Sequence, residues 1–332
     1  MTLLISKVNQ LGDNVVFLPV VQQLRALMPD LRMIVATSPV AAPLFERCVE
    51  RVEVVTTPTR DFNAAWKHPM RLLELGKEWR RLRPDVVMLG NDQGNVAALL
   101  SWLSGAVVRV GPAFPSRPST PFINHQVSYN LKRHVVLQNW ELAQRTAMNL
   151  GVSMSGGPPT PNLSGLISGD GEAFDVVVHP GASREYKRWP LDHFVDLANG
   201  LSRRYRVAWI DDGRTIRVDP AVKVIRPTSL NDFVTIMAHS KLFIGNNSGP
   251  MNIASALGMK GIVFNGPSTD NWDPYWHRER FILLRDPQLS CQPCDLYERP
   301  VNVCGNASDP MACMKRWRVE EVSSMANQLL LP

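Results

Sequence analysis

Short apolar runs alternate with amphipathic helical stretches along this chain, and the alternation begins twice. "TLLISKV", "RMIVAT", "VEVVTT", "DVVML" and "AVVRVG" read as strands in the first half. Between them lie helical patterns: "NVVFLPVVQQLRALMP", "PVAAPLFERCV", a long stretch from Asn63 to Leu82, and one from Asn95. A polar, proline-rich loop, "GPAFPSRPSTPFINHQ", and a helix near His134–Leu150 close the half. "SMSGGPPTPNLSG" then has the composition of a linker. The alternation restarts with "FDVVVHPG", "YRVAWIDD", "KVIRP", "LFIG" and "KGIVFNG" as strands. "LDHFVDLANGLSRR" and "LNDFVTIMAHS" are the helices between them. Strand–helix alternation predicts parallel sheets covered by helices. The expected fold is α/β: two Rossmann-like, doubly wound domains facing a cleft, residues 1–152 and 173–332, joined by a linker over 153–172. Ligands of such sheets sit beyond the carboxyl ends of the strands.

The chain's 332 residues and 45% hydrophobic content suffice for two cores. No apolar run approaches the roughly 18 residues that span a bilayer. "MTLLISKVNQLGD" is too short an apolar segment, interrupted by Lys7, for a secretory signal. The expectation is a cytoplasmic protein, with contact at the inner face of the membrane left open. Of the net +6, all lies in residues 1–160, which hold 17 Lys+Arg and 11 Asp+Glu. That excess suits an anionic partner or is ordinary surface charge. No dense basic run with interleaved aromatics calls for nucleic acid.

The turns at the predicted strand ends hold the candidate chemistry. In "GNNSGPMNIASALG" a strand hands over to a helix. Asn247 or Ser248 suits the N-cap, Pro250 suits the first turn, and Gly249 admits close approach to the backbone. A helix N-terminus there offers N–H groups to a phosphate. In "HPGASREYKRWP", Gly181 and Ser183 offer donors and Lys187 a point charge. Asp211 and Asp212 stand at a third strand end, positioned for a ribose or base, or as turn caps. In "KVNQLGDNVV", Asp13 is either a helix cap or a carboxylate able to take a proton from a nucleophile. Lys7, Asn9, Gln10, Asn91 and Asp92 are placed at strand ends of the same half, facing the cleft.

Of five cysteines, Cys48 falls in a predicted helix and reads as core. Cys291, Cys294, Cys304 and Cys313 are spaced C-x2-C-x9-C-x8-C. Four thiols so close in a chain expected in a reducing compartment point to a structural zinc or iron; free thiols or disulfides are the alternatives.

Four stretches together resemble glycosyltransferase family 9, the lipopolysaccharide heptosyltransferase family with the GT-B fold. They are "LGDNVVFLPVVQQLRALMPD", "HPGASREYKRWPLDHFVDLA", "LNDFVTIMAHSKLFIGNNSGPMNIASALG" and "FNGPSTDNWDPY". The resemblance implies inverting, metal-independent sugar transfer from a nucleotide-sugar donor, ADP-heptose, to a hydroxyl of the lipopolysaccharide core. It implies an acceptor-binding first domain and a donor-binding second domain. Asp13 matches the family's catalytic base, Ser183 and Lys187 its donor-phosphate contacts, and Ser248 and Gly249 its diphosphate turn. No catalytic cofactor is implied, and some members look similar in having a late cysteine cluster.

The chain departs from the family where Asn247 replaces an aspartate and Asn252 a histidine. These departures leave room for another nucleotide sugar, for a protein, metabolite or other glycan as acceptor, and for a non-catalytic nucleotide-sugar-binding or interaction protein.

Overall fold

The structure, a computed structural model, describes residues 1–114, 120–130, 132–294 and 303–331, without the side chain of Thr120. Residues 115–119 of the expected proline-rich loop lie outside the described residues, as do residues 295–302 between Cys294 and Cys304. The chain divides into two compact units, Met1–Gly165 and Leu166–Pro332.

In the first unit the strands are β1 (Thr2–Lys7), β2 (Arg32–Thr37), β3 (Val52–Thr56), β4 (Val86–Leu89), β5 (Val108–Ala113) and β6 (His125–Ser128). They form one sheet in the order β3-β2-β1-β4-β5-β6, parallel throughout. β1 and β4, at the centre, are fully buried, as strands covered by helices on both faces must be. Leu4, Ile34, Val87 and Leu89 pack with Phe62, Leu75, Trp79 and Leu100 from the helical layer.

In the second unit the strands are β7 (Phe174–His179), β8 (Val207–Ile210), β9 (Lys223–Ile225), β10 (Ser240–Asn246), β11 (Lys260–Phe264) and β12 (Phe281–Leu284). Their order is β12-β11-β10-β7-β8-β9, again parallel throughout. Trp189 stacks on Phe264 at 4.3 Å between ring centroids and meets Phe194 edge-on. The terminal helix Val319–Leu330 lays Val322 and Ala326 into the same core.

Two expected helices are interrupted. The first becomes Leu11–Val15 and Leu18–Leu27. Pro19 has no N–H and crowds the carbonyl of Val15, so the helix cannot run through. The stretch expected from Asn63 becomes Thr59–Ala64, a 3-10 turn, and Pro69–Arg81. His68, before the proline, leaves the helical region at φ −127°, ψ 87°. No helix among the described residues is long and apolar enough to cross a membrane.

Candidate functional site

Each sheet has one switch point, where the chain has built strands outward in one direction and then returns to build the other side. It lies between β1 and β4 in the first unit and between β7 and β10 in the second.

At the first switch point Asp13 sits in the opening turn of the helix Leu11–Val15. It is half-buried and is not the N-cap, a position held by Gln10. Beneath it lies a polar lattice. Lys7 is wholly buried and its ammonium is ion-paired with Asp92. It also donates to Asn91 Oδ1 at 3.2 Å and lies 5.6 Å from the Phe17 ring centroid. Asn9 Nδ2 donates to Asp92 Oδ2 at 2.7 Å, and Gln93 Nε2 donates to Asn9 Oδ1. Ser6 Oγ donates to Gln93 Oε1 at 3.0 Å. Asn14 donates to the carbonyls of Asn9 and Gln10 and accepts from Thr37 Oγ1 at 3.0 Å. The turn before Asp13 is thus tied to the ends of β1, β2 and β4. The expectation that Lys7 and Asn91 face a cleft is corrected: both are buried, because Asp92 and its amide neighbours draw the ammonium inward. Asn14 and Gln93 were missed; nothing in a lone amide marks it as a turn clamp.

At the second switch point the loop after β7 and the turn after β10 are drawn together by Asn246. Its Oδ1 accepts from the backbone N–H of Trp189 at 2.9 Å, and its Nδ2 donates to the Pro180 carbonyl at 2.8 Å. The stretch Gly181–Lys187 is held between these two anchors. Gly181 is glycine because a Cβ there would lie 2.8 Å from the His179 ring. Gly245 is glycine because a Cβ would lie 2.8 Å from the His179 carbonyl, forcing β10 off β7. Ser183 is exposed and Lys187 half-buried, at the end of a 3-10 turn.

Ser248 is the N-cap of the helix Gly249–Ala256, with Pro250 in its first turn. Its hydroxyl donates to the Asn246 carbonyl at 3.2 Å and makes no side-chain cap bond. The Ser248 side chain thus leaves the helix start to other acceptors, and a helix N-terminus is a place where an anion can bind. Asn247 Nδ2 donates to Asn265 Oδ1 at 2.6 Å, and Asn252 is buried on the same helix.

Asp211 accepts from the Gly213 N–H at 2.7 Å and from Arg226 Nε at 2.8 Å. The Gly213 bond first, then Arg226, holds its carboxyl below the usual range. Oδ1 serves the turn after β8, and Oδ2 reaches across to Arg226, just past β9. Asp212 pairs with Arg214 at 2.7 Å. Beside it is His179, which sequence reasoning missed. Burial pushes its pKa down to about 4, against the pull of Asp212, so the ring is neutral at pH 7. Only its place at a strand end, before Pro-Gly, signalled it.

The profile of glycosyltransferase family 9 (heptosyltransferase) matches residues 72–302. The chain belongs to glycosyltransferase family 9. It is 26% identical over 167 residues to lipooligosaccharide heptosyltransferase 2 of Campylobacter jejuni, 46% of this chain and 50% of that protein. It thus spans about half the length of the curated relatives it matches. The E. coli heptosyltransferase WaaC with ADP aligns over 99% of this chain and 100% of that one, with TM-score 0.71 and 18% identity. The iron-containing dodecameric glycosyltransferase TibC from enterotoxigenic E. coli H10407 aligns over 99% of this chain and 78% of that one, with TM-score 0.61 and 17% identity. These likenesses establish the GT-B fold for this family 9 chain.

The four late cysteines of this family 9 member occupy one neighbourhood. Burial pushes the Cys313 thiol up to about 11, helped by Cys294, Cys304 and Cys291 around it. The N–H of Met311 donates to Cys304 Sγ at 3.2 Å. None of the four is joined in a disulfide. Among the described residues no group of three or more His, Cys, Asp or Glu side chains is arranged to hold a metal ion. The donor set suits zinc or iron in kind, but the thiols do not close into a coordination shell here.

Proposed function

We propose that this chain is a sugar transferase of the heptosyltransferase type, moving heptose from ADP-heptose to an acceptor hydroxyl with inversion. The observation that carries this is the joining, through Asn246, of a loop bearing Ser183 and Lys187 to a helix start at Ser248–Gly249 whose N-cap side chain makes no cap bond. A diphosphate leaving group gathers negative charge, and donors already held in place stabilise it. Lys187 and the helix N–H groups supply that stabilisation without a catalytic metal. Gly181 and Pro250 shape the two backbones, and Asn252 stands behind the helix start. Asp13 takes the proton of the attacking hydroxyl as the bond to the anomeric carbon forms. The acceptor is the lipopolysaccharide core, and its anionic groups suit the positive charge of residues 1–160. Such an acceptor places the enzyme at the inner face of the membrane.

Asn247 and Asn252, standing where the family has charged or titratable residues, favour a second reading. In it the transfer is the same but the donor is another nucleotide sugar and the acceptor another glycan, a protein or a small metabolite. The four cysteines, gathered around Cys313, are read as a structural zinc or iron site apart from the transfer chemistry. Support for this is the thiol donor set and the N–H···S bond to Cys304.

Calorimetric titration with ADP-heptose, ADP, UDP and GDP tests the reading. Selective binding of the adenine compounds is expected. Preference for another base moves the assignment to the second reading. Binding of none leaves a non-catalytic interaction protein.

A further inference from the structure

Behind the donor turn runs a chain of four side chains. Arg285 Nη2 donates to Asp273 Oδ1 at 2.9 Å, and the pair is largely buried. Asn265, with no exposure to solvent, donates its Nδ2 to the same carboxylate oxygen. Asn247 Nδ2 then donates to Asn265 Oδ1 at 2.6 Å and to the Trp272 carbonyl at 3.3 Å.

The direction of this chain is dictated by charge. A carboxylate in an ion pair with a guanidinium only accepts hydrogen bonds. Asn265 must therefore turn its NH2 toward Asp273, and its carbonyl oxygen toward residue 247. Residue 247 meets two acceptors, Asn265 Oδ1 and the Trp272 carbonyl. An amide satisfies both with its two hydrogens. An aspartate satisfies neither, and sets a second negative charge within one amide of the first.

We propose that Asn247 is a positioning residue whose amide orientation is fixed by the Arg285–Asp273–Asn265 chain, with Asp273 as the one negative charge of that chain. With both amide hydrogens committed, Asn247 offers a bound ligand only its carbonyl oxygen. That is a neutral acceptor, matched to a hydroxyl such as a sugar presents. An aspartate at 247 alone therefore damages the site. The sugar-facing part of this inference rests on the donor-binding reading above; the orientation of the amide does not.

The test compares the wild type with Asn247→Asp, Asn247→Ala, Asp273→Asn and the double variant Asn247→Asp/Asp273→Asn. Thermal midpoint and ADP affinity are read for each. Asn247→Asp, the isosteric change, is expected to lower the midpoint by about 3 °C or more, beyond the loss in Asn247→Ala. It is expected to weaken ADP about tenfold, with the double variant recovering most of that loss. An Asn247→Asp protein as stable as the wild type, or no worse than Asn247→Ala, overturns the proposal. So does a double variant with no recovery. If variants at Asp273 fail to fold, the order of Asn247→Asp and Asn247→Ala decides. If the wild type binds no ADP, the donor reading fails, while the order of midpoints still decides the amide chain.

Discussion

Asn246, at the end of β10, accepts the backbone N–H of Trp189, 57 residues earlier in the chain, at 2.9 Å. The bond joins the exit of the loop bearing Lys187 to the strand that leads into the helix Gly249–Ala256. Replacing Asn246 by leucine leaves the buried Trp189 N–H without a partner and releases the Pro180 carbonyl. The expected cost is about 2–4 kcal/mol in folding stability, from two unmade buried bonds. ADP affinity should fall in parallel, read by urea unfolding and calorimetry. An unchanged affinity would detach the clamp from the donor site.

Asp92→Ala strands the buried ammonium of Lys7, which has no exposure of its own. Breaking a buried pair from one side costs about 3–5 kcal/mol. The double variant Lys7→Met/Asp92→Leu removes both charges and should be more stable than Asp92→Ala. A single variant as stable as the wild type would show that the pair is not a structural anchor of the Asp13 turn.

His179 gives a pH dependence. Its folded pKa is about 4, below the ordinary 6.5 because burial disfavours the cation. A base with a lowered folded pKa stabilises the fold above its unfolded value and loses that contribution as pH falls toward the folded one. Its share, roughly 3 kcal/mol at a shift of this size, should disappear between about pH 6.5 and pH 4. His179→Gln should flatten the fall in urea midpoint over that window. Parallel curves for the two proteins would rule the residue out as the cause.

Asp13→Asn keeps the shape of the side chain and removes its basicity. Turnover should drop by about 100- to 10,000-fold, the usual range for loss of a general base. ADP affinity should hold within a factor of about two, since Asp13 and the proposed donor turn belong to different units. Turnover close to wild type would remove Asp13 from the chemistry.

The cysteines are checked by elemental analysis of protein purified without reducing agent or chelator. About one zinc or iron per chain is expected, lost on replacing Cys294 and Cys304 by serine. Metal-free protein with titratable thiols would return the cluster to ordinary cysteines.

The central strands were legible because β1, β4, β7 and β10 are apolar runs buried on both faces. β6 was not: "HQVS" is a short, half-exposed edge strand with no apolar alternation. β12, "FILL", follows the charged "RER" and carries no flanking strand signal of its own. Helix breaks at Pro19 and Pro69 were written in the sequence but outweighed there by continuous apolar periodicity. At the site, Ser248, Gly249 and Pro250 were readable because a strand–turn–helix has local grammar. Asn246, His179, Lys7 and Asp92 were not, since their roles rest on partners as many as 85 residues away.

Numbered from its own first strand, the second sheet repeats the order of the first: two strands laid outward on one side of the founding strand, then three on the other. The two units thus use one connectivity twice. In each unit the founding and fourth strands meet at the same place, and there the two differ. One buries a lysine and an aspartate under a carboxylate-bearing turn; the other ties two loops with a single amide. A repeated connectivity thus offers two separate crossing points, and each can carry different chemistry without altering the sheet of the other.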